Sequence, residues 1–121
     1  MKDSVLREKT KKFAIAVIKM YKVLREEKKE SVMSKQVLRS GTSIGANICE
    51  SYYAQSTADF INKMSISLKE AAETDYWLDL LVSTDYISEQ QYGLMHDACV
   101  EIIKILTASI NTAKKNAERN K

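Results

Sequence analysis

The chain has 121 residues, 45% hydrophobic and 29% charged, with no proline and only three glycines. That balance excludes a disordered chain and fits a single helical domain, residues 1–121, large enough to bury a core. The net charge of +3 is mild but unevenly spread. Residues 1–30 hold ten Lys/Arg against five Asp/Glu, and residues 56–87 hold two against six. A basic segment and an acidic one favour mutual attraction, within a subunit or between subunits.

Nothing directs the chain to a membrane. No apolar run approaches the ~18 residues that span one. The opening MKDSVLREKTKK lacks the apolar core of an export signal, so a cytoplasmic location is expected. Cys49 and Cys99 stand alone and are expected as two buried thiols, with no support for a disulfide.

Four helices are predicted, at about 3–27, 32–54, 56–83 and 88–115. In the first, Asp3 or Ser4 can cap the N-terminus. Leu6, Phe13, Val17, Met20, Tyr21 and Leu24 share a core face. Arg7, Lys11, Lys22, Arg25 and Lys29 fall within roughly 60° of one another on the far side. Ile15 and Ile18 lie among these charges, which hints at a second contact surface.

A break near 28–31 precedes the second helix. Val37, Leu38, Gly41, Ile44, Gly45, Ile48 and Tyr52 line one of its sides. Gly41 and Gly45 each cost about 1 kcal/mol in a helix interior, so a neighbouring backbone is expected to approach closely there. The alternative is a kink or short loop at 40–43. Arg39, Ser43, Asn47 and Glu50 recur at spacings of four, four and three and share a narrow stripe.

Ser56, with Asp59 three residues on, starts the third helix. Phe60, Met64, Leu68, Ala71, Leu78 and Val82 form its predicted core face. Ile66, Trp77, Leu80 and Leu81 widen its apolar surface. Ser88 with Gln91 is a capping box for the fourth helix, where Met95, Ala98, Cys99, Ile102, Leu106, Ile110 and Ala113 repeat at three and four. The tail AERNK is expected to fray. Short connections force neighbouring helices to be antiparallel, so the predicted fold is an all-α, up-down-up-down four-helix bundle.

Catalytic patterns are scarce. His96 is the only histidine, and Cys99 three residues on belongs to the core face, which disfavours a Cys-His dyad. A di-metal bundle needs Glu-x-x-His, which is absent from the sequence. There is no phosphate-binding glycine loop and no G-x-S-x-G. Met20, Met33, Met64 and Met95 read as core fillers. No enzyme, cofactor or metal is expected.

Two sets of residues remain. The five cations of the first helix could track a phosphate backbone; the alternatives are a solvated face or a partner for the acidic third helix. No aromatic residues interleave with these cations, so stacking on single strands is poorly supported. The stripe of Arg39, Ser43, Asn47 and Glu50 reads as a hydrogen-bonded network fixing helix register or a subunit interface, with Arg39 and Glu50 satisfying each other or groups on a neighbour. A ligand-binding polar groove is its other reading.

The stretch VLRSGTSIGANICES resembles the signature R-x-x-T-S-I-x-A-N-I-x-E-G of the 23S rRNA intervening-sequence protein family. Arg39, Thr42, Ser43, Ile44, Ala46, Asn47, Ile48 and Glu50 fill it, and Ser51 stands where glycine is usual. Downstream, Ser56 with Phe60-Ile61 resembles the family's S-x-x-x-F-I element, and Glu73-Thr74 with Leu78 its E-T-x-x-x-L element. The resemblance implies a left-handed four-helix bundle assembled as a ring of five. The family in turn resembles accessory proteins of diversity-generating retroelements, basic helical pentamers that bind a reverse transcriptase and nucleic acid. The function so implied is a non-enzymatic homo-oligomeric scaffold or binding protein whose favoured partner is RNA or a nucleoprotein. A protein-binding adaptor that uses its charges between subunits is the competing expectation.

Overall fold

The computed structural model describes the backbone of residues 2–120 and the side chains of residues 5–120. It contains α1 (Lys2–Glu26), α2 (Met33–Ser51), α3 (Thr57–Ser83) and α4 (Glu89–Arg119). The Asp3 or Ser4 cap lies outside the described side chains.

Cross-helix pairs set the direction of each helix. Thr10 lies against Gly45 and Val17 against Gly41. The Ser67 hydroxyl donates to the Ile44 carbonyl, and Thr74 donates to the Ser40 hydroxyl. The Cys99 thiol donates to the Ala71 carbonyl, and His96 meets Asp75. In each set the residue number rises on one helix as it falls on the other. The bundle is therefore antiparallel and up-down-up-down. Among the described residues α1 and α3 each pack on α2 and α4, and the diagonal pairs do not pack.

The core runs through all four helices: Phe13, Val17 and Leu24, then Val37, Ile44 and Ile48, then Met64, Leu78 and Leu81, then Ile102 and Leu106. Tyr21 is only half-buried, and Thr10 is buried in the core stripe instead, its hydroxyl donating to the Leu6 carbonyl. The buried face of α3 also differs from expectation. Met64, Ser67, Ala71, Thr74, Leu78 and Leu81 are buried, whereas Phe60, Leu68 and Val82 are half-buried. Ser67 and Thr74 can face inward because α2 offers them oxygen acceptors.

α2 is uninterrupted across 40–43, so no loop forms there. A Cβ on Gly41 would stand 2.9 Å from both methyls of Val17, and one on Gly45 would stand 3.3 Å from the Thr10 hydroxyl. The two glycines thus bring α2 close against α1. Ser51 ends the helix and Tyr52 follows in right-handed geometry, so no glycine is required at the exit.

The start of α2 is capped by a residue that pattern reading passed over. Val32 precedes the helix without any side-chain cap. Glu30, buried in the α1–α2 turn, accepts instead from the backbone N–H groups of Val32, Met33 and Ser34 at 2.9, 2.9 and 2.7 Å. Ser56 and Ser88 cap α3 and α4 as expected, accepting from Asp59 N and Gln91 N at 3.0 Å each. α4 reaches Arg119, so residues 117–119 are helical rather than frayed. Alanines and lysines with no glycine stop carry it on. Among the described residues no helix is long and apolar enough to cross a membrane.

Candidate nucleic-acid interface

The exposed side of α1 carries Arg7, Lys11, Lys22 and Arg25, with Lys29 in the turn beyond. Lys11, Lys22 and Lys29 are exposed and have no carboxylate partner among the described residues. The two arginines lean on tyrosines. Arg7 lies over the Tyr52 ring at 5.2 Å, and Arg25 lies over Tyr21 at 5.7 Å while donating to its hydroxyl at 2.7 Å. That hydrogen bond raises the Arg25 pKa above its ordinary value. Helical spacing brings Tyr21 to the stripe and tertiary structure brings Tyr52, although each lies under a guanidinium. Arg7 and Lys11 also edge an α1–α2 groove of about 620 Å³, whose other wall includes Thr42, Gly45, Ala46 and Cys49.

The acidic helix does not reach these cations. α1 and α3 occupy diagonal corners, so their opposite charges do not pair within the chain. The carboxylates of α3 are engaged elsewhere. Arg39 donates to Glu70 at 3.2 Å and also to Glu73, and the Trp77 indole N–H donates to Glu73 at 2.9 Å. Asp75 meets His96 at 2.6 Å, and Asp59 accepts from the Gln55 N–H. On the outer side of α3, Asp79 is exposed and has no cationic partner among the described residues.

The stripe of α2 divides in two. Arg39 and Glu50 do not meet each other: Arg39 turns to Glu70 and Glu73, and Glu50 accepts from Lys63 at 3.1 Å. Ser43 and Asn47 bond within their own helix, to the carbonyls of Arg39 and Ser43. These ion pairs are half-exposed and tie α2 to α3 on the surface.

His96 gains the orienting group that its isolation in sequence concealed. Its Nδ1–H donates to the Asp75 carboxylate at 2.6 Å. Tyr92 stacks on it at 5.2 Å, and burial raises the Tyr92 pKa. The Cys99 thiol turns away to the Ala71 carbonyl, and burial pushes its pKa up to about 12. A thiol held protonated is no nucleophile. Cys49, expected to be buried, is exposed beside the α1–α2 groove. Among the described residues no three His, Cys, Asp or Glu gather where they could hold a metal.

Four antiparallel helices with a charged outer edge define a helical-bundle protein. This chain belongs to the 23S rRNA-intervening sequence protein family, whose pattern matches residues 2–108. It is similar to a protein of unknown function of the S23 ribosomal protein family from Bacteroides thetaiotaomicron. The two share 55% identity and a TM-score of 0.91 over 92% of this chain and 99% of the other. No protein of curated function matches.

Proposed function

We propose that this chain is a non-enzymatic, self-associating bundle of the cytoplasm that binds RNA, free or in a nucleoprotein, through the basic edge of α1. The observation that carries this reading is the imbalance of pairing. Lys11, Lys22 and Lys29 have no carboxylate partner among the described residues, while Glu70, Glu73 and Asp75 of the acidic helix already have partners within the chain. A surface of unpaired cations on a rigid helix attracts polyanions.

Self-association is supported by apolar side chains left in water. Val5 on α1 is 40% exposed and Val23 44%, and Leu94 on α4 is 70% exposed. Leu94 edges an α1–α4 groove with Phe13, Ala16 and Met95, on the opposite flank of α1 from the groove that Arg7 and Lys11 edge. The two flanks can thus serve different partners. A ring of five would multiply the cationic edge fivefold, and avidity would compensate for weak single contacts.

Native mass spectrometry of protein purified from its own host tests both parts. The expected species is an oligomer carrying RNA that dissociates as salt rises. A bare monomer would count against the assembly. Retention of RNA unaffected by charge reversal at Arg7, Lys11, Lys22, Arg25 and Lys29 would remove α1 as the contact. The adaptor reading instead requires that charge reversal dissolve the oligomer.

A further inference from the structure

We infer that the RNA is engaged as a duplex, with two clusters of α1 cations seated on the two backbones across one groove. This rests on the RNA-binding reading above and adds the form of the partner. The cationic stripe is not continuous. Arg7 and Lys11 form one cluster, and Lys22 and Arg25 form the other. From Lys11 to Lys22 the helix advances about 16 Å at ~1.5 Å per residue. Ala14, Ile15 and Ile18 occupy the side of α1 between the clusters, with no cation on the line of the stripe. Lys12 and Lys19 fall roughly 60° or more off that line.

A single strand favours an unbroken cationic track with a row of open aromatic faces. Here Tyr52 and Tyr21 lie under Arg7 and Arg25. The exposed Tyr53 is one ring in the α2–α3 turn, and Tyr76 belongs to α3, at the diagonal corner. A duplex presents two rows of phosphate separated by a groove, about 12 Å of free width for the major groove of B-form DNA. A-form RNA opens a wide, shallow minor groove rimmed by its two backbones. Two cation clusters about 16 Å apart on a straight helix match two separate rows of phosphate rather than one continuous row. Ile15 and Ile18 then lie over the groove, where no phosphate needs neutralising. Because both clusters belong to one uninterrupted helix, their separation is fixed before binding.

The test is fluorescence anisotropy of the full chain with an RNA duplex of about 16 base pairs and with each of its strands, over about 50 to 200 mM salt. The duplex is expected to bind about tenfold or more tightly than either strand. Arg7→Glu with Lys11→Glu, and separately Lys22→Glu with Arg25→Glu, should each weaken duplex binding about tenfold and reduce the salt slope by roughly two. Ile15→Lys, which closes the gap, should improve single-strand binding more than duplex binding. Circular dichroism checks that each variant remains helical. Single strands binding as tightly as the duplex would overturn the inference and leave RNA binding standing, as would one cluster proving dispensable for the duplex. Failure of both RNA forms to bind at low salt would overturn the RNA-binding reading itself.

Discussion

Gly41 lies so close to Val17 that a side chain at position 41 would overlap both valine methyls, at 2.9 Å. Val17 is fully buried and its β-branched side chain is stiff, so it cannot swing clear. Gly41→Ala gains about 1 kcal/mol of helix propensity but loses about 1–3 kcal/mol to overpacking. The expected result is net destabilisation of about 1 kcal/mol, read as a lower urea midpoint. Gly93 is the control, because nothing lies within 4 Å of a Cβ built there. Gly93→Ala should stabilise by about 1 kcal/mol. Equal effects at the two positions would refute the close approach of α1 and α2.

Glu30 should matter more than its place in a charged turn suggests. It satisfies three backbone N–H groups at the start of α2. Glu30→Ala leaves them without their acceptor and should cost about 2 kcal/mol, whereas Glu27→Ala, at an exposed position of the same turn, should change stability by less than about 0.5 kcal/mol. Hydrogen exchange at Val32, Met33 and Ser34 should accelerate in the first variant. Unchanged protection there would show that the Glu30 carboxylate is not what protects these groups.

Between α2 and α3 the buried hydroxyls should outweigh the surface ion pairs. Thr74 is fully buried and donates to Ser40, whereas the Arg39 side chain is half-exposed. Thr74→Val leaves the Ser40 hydroxyl without that contact and should cost about 1–2 kcal/mol. Arg39→Met should cost about 0–1 kcal/mol, and that loss should shrink in high salt. The reverse order in thermal melts would overturn this ranking.

The thiols should separate cleanly. At pH 8 a thiol reagent should label Cys49 in the folded protein and reach Cys99 only in denaturant. The Cys99 pKa rises on folding from 9.0 to about 12. Below pH 9 the thiol is protonated in both states and its contribution is intact. As pH rises from 9 towards 12 the unfolded chain gives up this proton first, so folded stability falls. Cys99→Ala should flatten part of that alkaline slope. Equal labelling of both thiols in the native protein would contradict the burial of Cys99.

What could be read from the sequence was local. The Ser56 and Ser88 caps form between residues three apart, and the α1 and α4 core stripes follow simple apolar periodicity. Several misreadings depended on a distant partner. Ser67 and Thr74 look like surface residues until the Ile44 carbonyl and the Ser40 hydroxyl stand opposite them. Glu30 was hidden because a capping carboxylate and a solvated one have the same letter. The candidate site divides the same way: exposure of the α1 cations follows from helical phase, whereas the partners of Arg39, Glu50 and His96 lie on other helices.

The diagonal placement of α1 and α3 has an electrical consequence. With the carboxylates of α3 largely paired and those of α1 outnumbered, each bundle carries its excess positive charge along one long edge rather than evenly around its girth. Such a body has a transverse moment. In the field of an approaching polyanion it rotates before it touches, so that collisions arrive with α1 leading, and the association rate rises most where few ions screen that field.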